Sequence, residues 1–194
     1  DDLARHPDTA RHIARKLAVH FVADDPDPAL VVALEAAFRD SDGDLMQVYG
    51  ALLAHPAAWS EFGAKARQPF DFIVAAFRAL GTDPGEIANL NFRKTRQFLS
   101  GPMAVMGQPW QQPPGPDGWP EALEDWITPQ GLAARVEWAL MAINVFGRDQ
   151  DPAAFAAAAL GDMADDQLRR IVGFAESRAE GMALVLASPE FNRR

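Results

Sequence analysis

Residues 69–81, Pro-Phe-Asp-Phe-Ile-Val-Ala-Ala-Phe-Arg-Ala-Leu-Gly, decide the fold class of this chain. Phe70, Ile73, Val74, Phe77 and Leu80 recur at the three- and four-residue spacing of one helical face, and Gly81 is a stop signal. The spacing predicts a helix over 69–80 with those five residues turned to a core. The same punctuation recurs on both sides. Upstream, residues 8–22 carry Ile13, Leu17 and Phe21 after His6-Pro7. Asp27-Pro28 reads as an N-cap and first helical residue, followed by Leu30, Val31, Leu34 and Phe38 and a stop at Gly43. Leu45, Val48, Leu52 and Leu53 form the next stripe, closed by His55-Pro56. Downstream, Asp83-Pro84 opens a helix expected over 84–99. Thr128-Pro129 opens a long one to Phe146, with Leu132, Val136, Ala139, Leu140 and Ile143 as its stripe. Ile127 and Leu132 occupy the two positions of a hydrophobic staple there. Shorter helices are expected within 152–160, 165–174 and 178–187. No alternating strand pattern of useful length occurs. The expectation is an all-α chain, a multi-helix orthogonal bundle, divided as a helical half over 1–106, a loop over 107–127 and a helical half over 128–194 within one domain.

The exception to helical patterning is the loop Gly107-Gln108-Pro109-Trp110-Gln111-Gln112-Pro113-Pro114-Gly115-Pro116-Asp117-Gly118-Trp119-Pro120, which runs on to Trp126. It holds five of the chain's fifteen prolines and, to residue 126, three of its five tryptophans. Proline neither continues a helix nor donates to a ladder, so the stretch is irregular. Its indoles either plug a neighbouring core, the usual way a long loop survives in a small domain, or present flat platforms for a glycan or a proline-rich peptide.

Composition excludes several functions. A formal net charge of −9 argues against nucleic acid or an anionic membrane as partner, because phosphate binding needs clustered Lys and Arg. No apolar run approaches the roughly 18 residues that span a bilayer, so no membrane insertion is expected. The absence of cysteine removes disulfides, thiolate metal sites and a thiol nucleophile. No phosphate-binding glycine loop, nucleophile elbow or metalloprotease helix is present, and the residues call for no cofactor or metal. The chain opens at Asp1 without a leader and reads as a fragment of a longer protein.

Some residues invite a closer reading. Asp40-Ser41-Asp42-Gly43-Asp44 resembles a calcium loop, but glycine stands fourth and Ala51 occupies the twelfth position where a bidentate Glu is needed. Helix termination at Gly43 and capping by Asp42 or Asp44 fit better. Of the four histidines, His6 and His55 precede prolines as turn residues do, His12 points off the stripe of its helix, and His20 falls near that stripe as a hydrogen-bonded core residue would. Asn91 and Lys94 project near the apolar face of the 84–99 helix, and Arg135 sits at the edge of the stripe in the long helix. A buried Lys or Arg must be paired, so these three either pin the Pro/Trp loop through its carbonyls, line a polar pocket, or simply face solvent. Asp117, Glu121, Glu124 and Asp125 make the far end of the loop acidic. A carboxylate pair for glycoside hydrolysis is conceivable there, but acidic loop ends are common. Leu52-Leu53-Ala54-His55-Pro56 and Val185-Leu186-Ala187-Ser188-Pro189 echo one another, as ordinary helix–proline turns do.

The runs HPDTARHIARKLAVHFV (6–22), AFRDSDGDL (37–45), ALLAHPAAW (51–59), RQPFDFIVAAFRALG (67–81), MGQPWQQPPGPDGWPEALEDWITPQGLAAR (106–135) and LASPEFNRR (186–194), in that order, resemble the C-terminal part of the bacterial domain-of-unknown-function-1800 family. The resemblance implies a mostly helical fold in an exported, periplasmic or secreted bacterial protein, and no catalytic residues. The expected function is a non-catalytic binding or assembly module, with Trp110, Trp119, Trp126, Asn91, Lys94 and Arg135 as candidate ligand contacts. Its partner would be another protein or the missing N-terminal region, with a glycan or peptide at the tryptophan loop. The alternative is a wall of a hydrolase-like enzyme whose catalytic groups lie mainly in that N-terminal region.

Overall fold

Helix starts are written in this chain in one recurring way: a residue with a side-chain acceptor, then proline. Asp27, Asp83, Thr128, Asp151 and Ser188 each accept a backbone N–H of the following turn, and Pro28, Pro84, Pro129, Pro152 and Pro189 occupy the first helical position. A computed structural model describes residues 2–60, 63–147 and 150–194. The described residues are helical, without a strand. In chain order the helices are α1 (Asp2–Arg5), α2 (Pro7–Phe21), α3 (Pro28–Asp40), α4 (Leu45–Ala54), α5 (Pro69–Ala79), α6 (Pro84–Ala88), α7 (Phe92–Thr95), α8 (Gly101–Val105), α9 (Leu123–Trp126), α10 (Pro129–Phe146), α11 (Pro152–Leu160), α12 (Asp166–Gly173), α13 (Arg178–Ala187) and α14 (Pro189–Asn192). Single 3₁₀ turns lie at Pro56–Ala58 and Gly161–Met163. By its own contacts the chain forms two units, one of Asp1–Lys65 with Glu121–Leu123, the other of Ala66–Pro120 with Glu124–Arg194.

In the first unit α2 packs on α3 and α3 on α4. The buried face of α2 is Ala10, Ala14 and Ala18, not the expected Ile13, Leu17 and Phe21; Phe21 is 60% exposed. Alanine lets two helix backbones approach closely, so the helix turns its small stripe inward and leaves the longer side chains at the border of the contact. Leu30, Leu34 and Phe38 of α3 and Val48 and Leu52 of α4 complete this core, while Leu45 and Leu53 face outward. The Asp40–Asp44 run is a helix-to-helix turn. The Gly43 N–H reaches back to Phe38 O at a φ of 90°, a conformation that only glycine adopts freely, and Asp44 caps α4 through Met46 N. Asp42 pairs with Arg5 at 2.9 Å.

The second unit is built on aromatic rings. Trp138 of α10 lies edge-on to Phe72 and Phe77 of α5, and Phe146 likewise to Phe77 and Phe98. Such pairs add to the area they bury by about 0.5–1.5 kcal/mol each. α11, α12 and α13 close this core with Phe155, Leu160, Leu168, Val172, Met182, Val185 and Leu186. On α5 the buried face is Phe72, Ile73, Ala76, Phe77 and Leu80. Phe70 and Val74, expected inside, stay open. On α10, Ala134, Arg135, Trp138, Ala139, Ala142, Ile143 and Phe146 are buried, while Leu132, Val136 and Leu140 of the expected stripe are exposed.

The single helix expected over 84–99 is instead α6, α7, a π turn at Arg96–Ser100 and α8. Asn91 caps α7 by accepting Lys94 N at 3.0 Å, which breaks the run. Further on, Gly101 N reaches back five residues to Arg96 O, and a Cβ at Gly101 would collide with that carbonyl.

Candidate functional site

The Pro/Trp loop stays ordered because it is held by side chains at both ends. At its start, Gln108 is buried and takes the capping role that Gln68 leaves unfilled at α5: its Oε1 accepts Phe70 N at 2.7 Å and its Nε2 donates to Gln68 Oε1 at 2.9 Å. Further along, Trp126 Nε1 donates to Pro120 O at 2.9 Å, and Gln68 Nε2 reaches the same carbonyl at 3.4 Å. The three indoles have three different fates. Trp126 is 2% exposed, Trp119 is half-buried against it with ring centroids 6.1 Å apart, and Trp110 is 54% exposed. Trp110 leans on Phe70 with centroids 6.0 Å apart, forming an open aromatic shelf.

In the first unit the loop segment 121–123 is gripped by a polar cluster. Lys65, 1% exposed, donates to Glu121 O at 2.6 Å and forms a tight ion pair with Asp24, whose Oδ2 accepts Leu123 N at 2.7 Å. Glu121 Oε1 meets His20 Nδ1 at 2.7 Å, and Glu121 Oε2 lies 3.5 Å from Lys65 Nζ. The ammonium and the Asp24 carboxylate are therefore spent on this stretch of backbone and on one another, while Glu121 Oε2 is buried without a hydrogen-bond partner. This cluster borders a cavity of about 380 Å³ lined by His12, Arg15, Lys16, Val19, Asp24, Glu121 and Ala122.

Arg135 is 1% exposed and holds parts of the second unit other than the loop: Nη1 donates to Asn192 Oδ1 at 2.8 Å and Nη2 to Arg67 O at 2.7 Å. Its guanidinium stands over the Phe72 ring, 4.9 Å from the centroid, and its Nε has no hydrogen-bond partner. No carboxylate pairs with it among the described residues. Burial, with a smaller contribution from the Arg67 charge, lowers its pKa to about 10. Asn192 donates in turn to Leu186 O and Ser188 O, fixing the last turn of the fold. Asn91 and Lys94 lie apart from this network, both exposed in α7.

Beside this clamp runs a groove of about 540 Å³ between α5 and α11, lined by Arg67, Phe70, Asp71, Val74, Ala75, Arg78, Ala79, Ala158, Ala159, Phe191 and Arg194. Phe70 and Val74 remain 44% and 40% exposed. Arg67 stacks over Phe191 at 4.6 Å and donates from Nε to Arg193 O. Burial lowers the Arg67 pKa, partly offset by Asp71 and reinforced by Arg194. Asp71 pairs with Arg194 at 2.9 Å. The sequence signals for this groove were weak: its two large apolar residues on α5, Phe70 and Val74, belong to the stripe that was expected inside.

Among the described residues no three His, Asp or Glu side chains stand together as metal ligands, and no helix is long and apolar enough to cross a membrane.

The chain belongs to the family described as a protein of unknown function (DUF1800), which matches residues 1–193. Neither a curated protein nor a solved structure matches it.

Proposed function

We propose that this family member is a non-catalytic binding and assembly module, and that its binding surface is the groove along α5 with the Phe70–Trp110 shelf beside it. The observation that carries this reading is the second apolar face of α5. Phe72, Ile73, Phe77 and Leu80 fill the core, yet Phe70 and Val74 of the same helix lie open in a concave, mixed apolar and charged groove. Exposed large apolar groups gathered in a groove and rimmed by charge are what a partner site requires. The Lys65–Asp24 pair supports the same reading over the hydrolase alternative, because both groups are engaged in holding residues 121–123. We further place the module in the C-terminal portion of a longer exported bacterial protein, on the family resemblance of its sequence runs. Fractionation of the full-length protein tests that placement, and recovery in the cytoplasm would refute it.

The binding reading is tested with 5-fluorotryptophan-labelled protein and a panel of oligosaccharides, acidic, basic and proline-rich peptides. A ligand should shift the ¹⁹F resonance of Trp110 and leave that of buried Trp138 in place. A panel that leaves Trp110 unmoved would sink the proposal, as would hydrolysis of any panel member.

A further inference from the structure

The charge of the groove is opposite to that of the chain. The protein carries a formal −9, yet the groove gathers Arg67, Arg78 and Arg194 against the single acid Asp71, which Arg194 already engages. The Arg78 guanidinium has no ion pair or hydrogen bond among the described residues. Behind Arg67, the buried Arg135 donates only to carbonyl oxygens, so its charge adds to the positive potential at that end. Along α5 from Phe70 to Arg78 the groove runs about 12 Å, two helical turns, and alanines on the facing helix allow close backbone approach. Among the described residues no strand offers an edge for strand addition, so a helix laid in the groove is the recognition mode that fits.

Resting on the reading of this groove as the binding surface, we propose that it docks an acidic amphipathic helix of a partner protein. Apolar side chains of that helix would cover Phe70 and Val74, and its carboxylates would meet Arg78 and the Arg67–Arg194 end. The charge complement gives orientation and on-rate, and the apolar contacts give retention.

The test uses three labelled synthetic helices of about 18 residues, five turns. One has leucine on one face and glutamate beside it, the second has lysine for glutamate, and the third has serine for leucine. Fluorescence anisotropy should show the Glu/Leu helix binding at least about tenfold more tightly than either control, a difference of about 1.4 kcal/mol. Arg78→Glu and Val74→Glu, both at exposed positions, should each weaken it about tenfold with the circular dichroism unchanged. Equal binding of the lysine helix, equal binding of the serine helix, or binding that survives Arg78→Glu would overturn the proposal. If no helix binds while another panel ligand shifts Trp110, this inference fails and the binding module stands. If nothing shifts Trp110, both fail.

Discussion

Trp138 Nε1 donates to Phe98 O at 2.9 Å, inside the aromatic core of the second unit. In an α-helical register that carbonyl would take the N–H of residue 102, four residues on, and Pro102 has none to give. The indole therefore replaces a backbone donor that the sequence removes. Trp138→Phe keeps a ring in the core but leaves Phe98 O buried without this donor, and should cost about 2–4 kcal/mol by chemical denaturation. In a Pro102→Ala background a backbone N–H becomes available, and the same change should cost at least about 1 kcal/mol less. Additivity of the two changes would show that the carbonyl is satisfied some other way.

Arg135 is a buried cation held by two carbonyl oxygens and a ring, with its Nε unpartnered. Removing it abandons Asn192 Oδ1 and Arg67 O, so Arg135→Ala should destabilise by about 2–4 kcal/mol. Protease sensitivity should then rise around residues 66–68 and 188–194, the segments it joins, while the Gly107–Pro120 stretch keeps its protection. The pH dependence has a definite sign. The folded-state pKa of about 10 lies below the ordinary arginine value, so the cost of burying the charge is present at all lower pH. It is relieved as pH rises above about 10 towards the ordinary arginine range. Relative to Arg135→Met, the wild type should hold a constant stability difference from pH 6 to 9 and gain above about 10. A difference that changes sharply between pH 6 and 9 would mean that another group is titrating at this contact.

The sequence announced helix starts better than helix faces. Caps such as Asp27-Pro28 and Thr128-Pro129 act within one turn, so they are readable without tertiary context. Faces are not, because α2, α5 and α10 each carry two adjacent apolar stripes, and the choice between them depends on how closely a neighbouring helix approaches. In α2 the alanines win. In α5 and α10 the stripe containing Phe72 and Trp138 wins, and the competing Phe70, Val74, Leu132 and Val136 become surface. The irregular run after Gly107 ends earlier than expected, at α9 within the 107–127 stretch. Arg135, expected at the edge of its stripe, is buried and joins Arg67 and Asn192 rather than the loop. Asn91 and Lys94 were misplaced by the break at Asn89-Leu90-Asn91. Lys65, Asp24 and Gln108 were invisible as partners because each acts on backbone at least 38 residues away, and Asn192 because its distant partner is the Arg135 side chain, 57 residues away. The one available hint was a lysine enclosed between Ala64 and Ala66.

Lys65 and Asp24 bind the backbone on either side of Ala122, one at Glu121 O and the other at Leu123 N. Lys65→Met removes the ammonium, leaving Asp24 and Glu121 without their shared counter-charge, and should cost about 3 kcal/mol. The local signature is sharper than the global one. Amide exchange at Leu123 should accelerate by at least tenfold more than at Ala14, whose side chain is buried in the core of the same unit. Asp24→Asn should do the same to Leu123 with a smaller loss of stability. Uniform acceleration across the unit would mean that Lys65 supports the core rather than the loop segment.

The tryptophans should report the loop's divided role directly. In single-Trp variants, acrylamide should quench Trp110 readily, Trp119 partly and Trp126 little, in the order of their exposure. Energetics should follow the same order. Trp126→Ala empties a core site and forfeits the bond to Pro120 O, and should cost about 3–5 kcal/mol. Trp119→Ala removes half-buried area and should cost about 1–2 kcal/mol. Trp110→Ala should change stability by less than about 0.5 kcal/mol, as surface substitutions do. A protected Trp110, or a large loss on its removal, would make the shelf part of the core and leave Phe70 and Val74 without the aromatic neighbour that the binding reading assigns them.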